Sequence, residues 1–374
     1  MKNENKSTSV DGIRKRFPIL KDRETVLSEI RQNKKLQTWF SNLKEDEHRE
    51  RFLDICTGAR GLRMTYDGYF KYIFDTDIHR DRLEALISAI LGQTVKIKEV
   101  LPLESICVGS DKTLVIMDIV VELADGSIAN VEMQKHGYSF PGERAACYAA
   151  DLLLRQYKRV RDRAAVSGDR KKSFVYKDIK PVYTIIFYER SPKAFHEKNQ
   201  LNHFLHHAEY KANTGVTLNL LQHFYFIPLD IFQALYDNKN ANTELTAWLM
   251  FLSTDDPEAI CRLIDAYPYF EALYKDVYEL AANKERVMEM FSKELQELDE
   301  GTTQYMIDEM ADEIRELKGE NCDLKDENSD LKGENFDLKG EINMLRTEKT
   351  ESENKLKKLE AELAKRGIQI ASLL

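Results

Sequence analysis

The chain has no apolar run long enough to cross a bilayer, for which about 20 residues are needed. Its opening residues, MKNENKSTSVDG, lack the apolar centre of a secretory signal. The 5 cysteines (Cys56, Cys107, Cys147, Cys261, Cys322) are widely spaced and include no CxxC pair. That excludes a disulfide scaffold and fits a reducing cytoplasm. Positive charge is also short: 55 Lys and Arg against 64 Asp and Glu give a net charge of −9. Such a chain is not coated in nucleic acid, although a local basic groove can still attract a polyanion. What remains is a soluble, intracellular chain. A hydrophobic content of 43% supports a core, and 374 residues allow two domains at roughly 150 residues each.

The most informative stretch is 113–134, TLVIMDIVVELADGSIANVEMQ, which reads as two strands around a turn. Asp118 sits inside the first apolar run. Glu132 and Gln134 are two apart on the return strand, so they share a face. A two-residue Asp125-Gly126 loop would set Ile119 opposite Glu132 and turn Asp118 away. A three-residue Ala124-Asp125-Gly126 loop pairs Leu123 with Ser127 and sets Asp118 opposite Glu132. Glycine in third place is what a type I turn followed by a left-handed residue requires. We take this second register because it brings the two carboxylates together. Adjacent carboxylates repel and are costly to half-bury without a cation, and their hard oxygens suit Mg²⁺ or Mn²⁺.

Residues 1–60 read as a polar tail and short amphipathic helices that pack onto the main domain. The apolar stripe Leu83, Leu86, Ile87, Ile90 and Leu91 predicts a helix over 80–91, stopped by Gly92. Strands are expected over 95–104 and 182–189, and another in HFYFIPLDIF (223–232) that ends near Pro228. After Pro141 and Gly142, a long helix carries Arg144, Tyr148, Arg155, Arg159 and Arg163 near one face. Lys158, Arg161, Arg170, Lys171 and Lys172 widen the basic zone. A stripe of this kind can follow a phosphate backbone. His203, His206 and His207 have helical spacing that a zinc site could use, but there is no third ligand, so ordinary histidines are expected. Residues 243–300 read as helices.

The pieces TYDGYFKYIF (65–74), MDIVVEL (117–123), VEMQ (131–134), FPGERAACYAADLLLRQY (140–157) and PVYTIIFYE (181–189) occur in one order. Over about 62–232 the chain resembles the PD-(D/E)xK nuclease superfamily, in its recombination-promoting nuclease and transposase branch. The resemblance implies an α/β, restriction-endonuclease-like mixed sheet flanked by helices. It also implies metal-dependent hydrolysis of DNA phosphodiesters in recombination or mobile-element biology. Carried over, Asp118, Glu132 and the Met133 carbonyl would hold Mg²⁺ or Mn²⁺, with Glu84 as an acidic ligand from the first helix. Asp67 and Lys71 would close the site, and Arg144 and Tyr148 would steady phosphate charge. Gln134 departs from the usual Lys and can only hydrogen-bond. The branch often carries E-x-Q, and Lys71 is the candidate replacement charge, since Lys135 faces the other side. The competing reading is a nuclease fold without its chemistry, serving as a DNA-binding or partner-recruiting protein.

The last segment carries a heptad. Ile307, Ile314, Asn321, Asn328, Asn335 and Ile342 occupy position a; Met310, Leu317, Leu324, Leu331, Leu338 and Leu345 occupy d. Glu320, Glu327, Glu334 and Glu341 fall at g, facing Lys325, Lys332, Lys339 and Arg346 at e of a parallel partner. Asn at a favours two strands in register. A parallel homodimeric coiled coil over 307–373, about 100 Å long, is expected. The expected organisation is an N-terminal segment 1–60, a nuclease-like domain 61–235, a helical extension 236–300 and a coil 301–374.

Overall fold

A computed structural model describes residues 10–43, 45–103, 117–137, 141–166, 174–197, 202–208, 210, 212–216, 218–237 and 239–366. The start of the hairpin stretch (113–116), Glu104, Arg170, Lys171, Lys172 and the end of the heptad segment beyond 366 lie outside them. The chain divides into two compact units, 1–306 and 307–374.

Among the described residues of the first unit, six strands form one mixed sheet. They are β1 (Ile97–Val100), β2 (Ile119–Leu123), β3 (Ile128–His136), β4 (Val182–Arg190), β5 (His206–Ala208) and β6 (Gln222–Pro228), in the order β1-β2-β3-β4-β6-β5. β1, β2 and β3 are antiparallel neighbours. β3, β4 and β6 run parallel, and β5 closes the far edge antiparallel. The strand predicted at 182–189 corresponds to β4, and the one predicted to end near Pro228 is β6, with a helix starting at Leu229; of the strand expected over 95–104, the described residues form one only over Ile97–Val100. His206 and His207 lie on a strand, not a helix.

Alternation along the strands sends two apolar sets to opposite faces. Val121, Val131, Met133, Ile185 and Phe187 join one helical layer. That layer contains α1 (Arg23–Gln32), α2 (Lys34–Asn42), α3 (Asp46–Thr57), α4 (Asp67–Ile73) and α5 (Arg80–Leu91). The N-terminal helices expected to pack onto the main domain do so: Ile13, Val26 and Phe52 share its core. α5 ends on Gly92 at φ 67°, as the sequence predicts.

The opposite face is covered by α6 (Pro141–Val166), through Tyr148 and Leu152 on Val120, Ile128 and Val182. Ala145 and Ala149 rest on Ile186, Tyr188 and Phe224. α7 (Leu229–Tyr236), α8 (Glu244–Ser253), α9 (Pro257–Ala266) and α10 (Tyr269–Ala282) follow the sheet. Leu249, Leu263 and Tyr274 of the last three join the first core. α8 is buried from Thr246 to Ser253, as expected of a helix apolar all round. The final helix, α11 (Lys284–Lys365), begins in the same core with Val287, Met288 and Phe291.

The β2–β3 turn fixes the register. Leu123 N donates to Ser127 O at 2.8 Å, and Gly126 N donates to Leu123 O at 2.9 Å. Gly126 sits at φ 91°, and Asp125 accepts from Ser127 N at 2.9 Å. The loop is therefore the three-residue form, and Ile119 pairs with Val131. Gly126→Ala forces an L side chain into the left-handed region. We expect it to lower stability by about 1–2 kcal/mol in urea unfolding.

Candidate functional site

One step beyond the Ile119–Val131 pair, Asp118 meets Glu132. Asp118 N donates to Glu132 Oε1 at 3.1 Å, and Met133 N donates to Asp118 Oδ2 at 2.9 Å. Each carboxylate thus accepts an amide proton from the neighbouring strand. Glu132 is only 3% exposed. Burial first, and then the Asp118 charge, push its carboxyl up to about 8. Asn130 on the same face, the Asp118 amide and the Arg144 charge act in the opposite sense. Asp118 is also raised, chiefly by burial, against the opposing pull of the Met133 amide and of Lys71.

Lys71, from α4, brings the cation. Its Nζ lies 2.8 Å from Asp67 Oδ1 and 3.4 Å from Asp118 Oδ1. The i, i+4 spacing on α4 sets Lys71 against Asp67, and the helix places the pair beside the hairpin. Burial opposes the charge on Lys71, but Asp67 and Asp118 outweigh it and hold the ammonium above its usual range. From the other side comes α6. Arg144 Nε donates to Tyr148 Oη at 2.7 Å. Burial raises the Tyr148 phenol to about 12, and Glu132 adds to the shift.

Gln134 follows Glu132 on the same face and is 8% exposed. Lys135 faces away, as expected: its Nζ stands 4.4 Å from the Tyr66 ring centre. The structure therefore brings Asp67, Lys71, Asp118, Glu132, Met133, Gln134, Arg144 and Tyr148 to one end of the hairpin.

Four expectations need correction. Glu84 gives Oε1 to Ile97 N at 2.8 Å and Oε2 to Lys96 Nζ at 2.7 Å. Both its oxygens anchor the start of β1, so it is not a ligand here. Arg155 is buried, paired with Asp151 at 2.6 Å, and donates to Pro102 O at 2.5 Å. Arg163 grips Glu122 with two bonds of 2.9 and 2.7 Å, and Arg159 pairs with both Glu99 and Glu122. Burial opposes ionisation of Glu122, but Arg163 and Lys98 hold it well below the usual carboxylate range. The spacing that suggests a phosphate-tracking stripe is instead an ion network pinning α6 to β1 and β2. The available signal was a glutamate, Glu122, inside the apolar run IVVEL of β2; in the structure it is fully buried.

Two neighbours of the site escaped the sequence reading. Asn130 was legible, because N-x-E-x-Q spells a polar row at period two inside an apolar strand. Tyr188 was not, because only the parallel register of β3 and β4 places it beside Gln134.

Among the described residues no group of three or more His, Cys, Asp or Glu side chains converges on one point. His207 stacks on Tyr225 at 4.3 Å, which supports the reading of ordinary histidines. A mixed sheet that carries a paired-carboxylate hairpin, with one long helix across it, defines an α/β protein of nuclease type. Residues 64–310 match the family described as PD-(D/E)XK nuclease family transposase, and the chain belongs to that family. No curated protein and no solved structure matches it.

The raised Glu132 carboxyl has a consequence for metal-free stability. The native state keeps a proton that the unfolded state releases near the ordinary glutamate value of 4.5, so it is favoured at low pH. Stability should fall as pH rises from about 4.5 through about 8. We expect the melting temperature of chelator-treated protein to drop between pH 6 and 8.5, and Glu132→Gln to flatten the drop.

Proposed function

We propose that this chain is a divalent-metal-dependent DNA endonuclease of recombination or mobile-element biology. The observation that carries the reading is the face-to-face placement of half-buried Asp118 and buried Glu132, with Lys71 alongside. Two hard oxygen donors that repel each other fit Mg²⁺ or Mn²⁺, with the Met133 carbonyl as third ligand. The bound ion supplies polarisation of the phosphate and a more acidic water.

The remaining work falls to the protein's side chains. Asp118 and Glu132 orient their oxygens through the Met133 and Asp118 amides. Lys71 offers the positive charge that Gln134 does not, within reach of the same phosphate. Arg144, exposed at the start of α6 and braced by Tyr148, meets a backbone phosphate. DNA contact is thereby narrowed to the Arg144 and Tyr148 end of the helix. Arg155, Arg159 and Arg163 serve its attachment to the sheet.

The test is nicking of supercoiled plasmid by the full chain with Mg²⁺ or Mn²⁺. Asp118→Ala should abolish nicking, and Lys71→Ala should slow it by on the order of 10²-fold. Binding without cutting in either metal favours the competing reading, a nuclease fold retained for DNA or partner binding. Intact cleavage by Lys71→Ala would remove Lys71 from the mechanism.

The family role is joined, in this proposal, to a homodimer built by α11. Leu317, Leu324, Leu331 and Leu338 of the d row are each at least half exposed in the single chain. Matching Glu at g and Lys at e supply a parallel partner. Sedimentation equilibrium should give a dimer for the full chain and a monomer when residues 307–374 are removed. A monomeric full chain at micromolar concentration would contradict the coil.

A further inference from the structure

In the sequence, 157–180 is a basic stretch of an acidic chain: it holds nine Lys and Arg against three Asp, where the whole has a net charge of −9. Arg159 and Arg163 are engaged by Glu122, so this end of α6 keeps no row of arginines to follow a backbone. What it presents is ring surface. Tyr157 of α6 meets Phe174 edge-on at 5.3 Å between ring centres, and Phe174 meets Tyr176 in the same manner at 5.2 Å. Tyr157 and Tyr176 lie within 23° of parallel, 6.2 Å apart. Tyr157 and Phe174 are half-buried. Tyr176 is 73% exposed, and Val175 beside it is 52% exposed.

The protruding ring is held on a fixed turn. Tyr176–Asp178 form a single 3₁₀ turn. Asp178 N donates to Val175 O at 2.9 Å, and Ile179 N donates to Tyr176 O at 3.2 Å. The Asp178 carboxylate turns back to accept from Val175 N at 3.3 Å. Ile179 is buried and anchors the turn. An aromatic face is thus fixed in water, where it gains nothing from burial.

Cations rim the rings. The Arg161 guanidinium lies 5.6 Å from the Tyr157 ring centre, and its contact to Asp162, at 3.5 Å, is solvent-exposed. Lys158 and Lys177, next to Tyr157 and Tyr176 in the chain, are exposed. Lysine is depleted from protein–protein interfaces. Rings bordered by cations suit a single strand: a base stacks on the ring, and the cations meet the strand's phosphates. A base inside a duplex has both faces covered by its neighbours, so only an unpaired base can use the Tyr176 face.

We propose that Tyr176, backed by Tyr157 and Phe174 and rimmed by Lys158, Arg161 and Lys177, is a second nucleic-acid site that stacks an unpaired base of single-stranded DNA. The choice of DNA rests on the nuclease reading above. Tyr157 lies about 20 Å beyond Arg144 along one helix, or roughly six base-pair steps. The substrate is then a duplex with a single-stranded arm: the duplex lies at Asp118, Glu132 and Arg144, and the arm reaches Tyr176.

The test is binding by the full chain, without metal, of a fluorescent thymidine oligomer of about 20 nucleotides, the matching ribo-uridine oligomer and a blunt duplex of the same length. Tyr176→Ala alters an exposed ring and should leave the melting temperature unchanged. It should weaken the thymidine oligomer on the order of 10-fold and leave the duplex alone, and Tyr176→Trp should restore binding. Replacing Lys158 and Lys177 by Gln should reduce the slope of log affinity against log salt by about 0.7 for each lysine. Unchanged affinity of Tyr176→Ala for the thymidine oligomer overturns the site, as does an equal loss for the duplex. Tighter binding of the uridine oligomer overturns DNA as its ligand. A smaller sedimenting species for Tyr176→Ala, with single-strand affinity intact, overturns it in favour of a contact between copies. A chain that nicks plasmid while Tyr176→Ala binds the oligomer as before loses this site alone. A chain as inert as Asp118→Ala that binds the oligomer through Tyr176 keeps the site and loses the nuclease reading.

Discussion

Two like charges face each other across β2 and β3, and much of the first unit serves to hold them there. A carboxylate pair in a half-buried position is unfavourable unless a proton or a cation relieves it. Here the relief is divided. Backbone amides of Asp118 and Met133 bind one oxygen of each group, Lys71 approaches Asp118, and Glu132 retains a proton into the neutral range. Under the proposed function, a divalent ion takes the place of that proton.

The scaffold explains why the pair does not relax apart. Asp118 belongs to the end of a strand whose register is set by one extra turn residue, with Gly126 in a conformation few other residues adopt. Lys71 rides on α4, whose Tyr69, Phe70 and Ile73 are embedded in the main core. Arg144 and Tyr148 ride on α6, whose far half is tied down by the Glu122 network and by Arg155 on Pro102 O. Three separate elements therefore converge on one spot, each fixed by packing away from it. Rigid support of this kind is what places charged groups within hydrogen-bonding distance without letting them fold back onto the nearest counter-charge.

The hairpin, its three-residue turn and the acidic pair were legible because strand alternation and glycine chemistry are local. The same holds for α5 and its stop at Gly92, and for the helical character of 307–365. Glu84 and the arginines of α6 were misread for a physical reason. Their helical faces were placed correctly, but what each face meets is a long-range matter. Glu84 met the start of β1, and Arg159 and Arg163 met Glu122. A charge read from one helix says which way a side chain points, not whether the protein has already supplied its counter-ion. Tyr188 lies beyond local reading altogether, since two parallel strands separated by α6 must be aligned before it comes beside Gln134.

The most direct measurement is a crystal of the full chain soaked in Mn²⁺, with anomalous scattering used to locate the ion. The account predicts a peak between the carboxylates of Asp118 and Glu132, at about 2.0–2.2 Å from their oxygens, and its loss in Glu132→Gln. A structure in which these side chains point apart, or in which Mn²⁺ occupies a different place and leaves the pair bare, would contradict it.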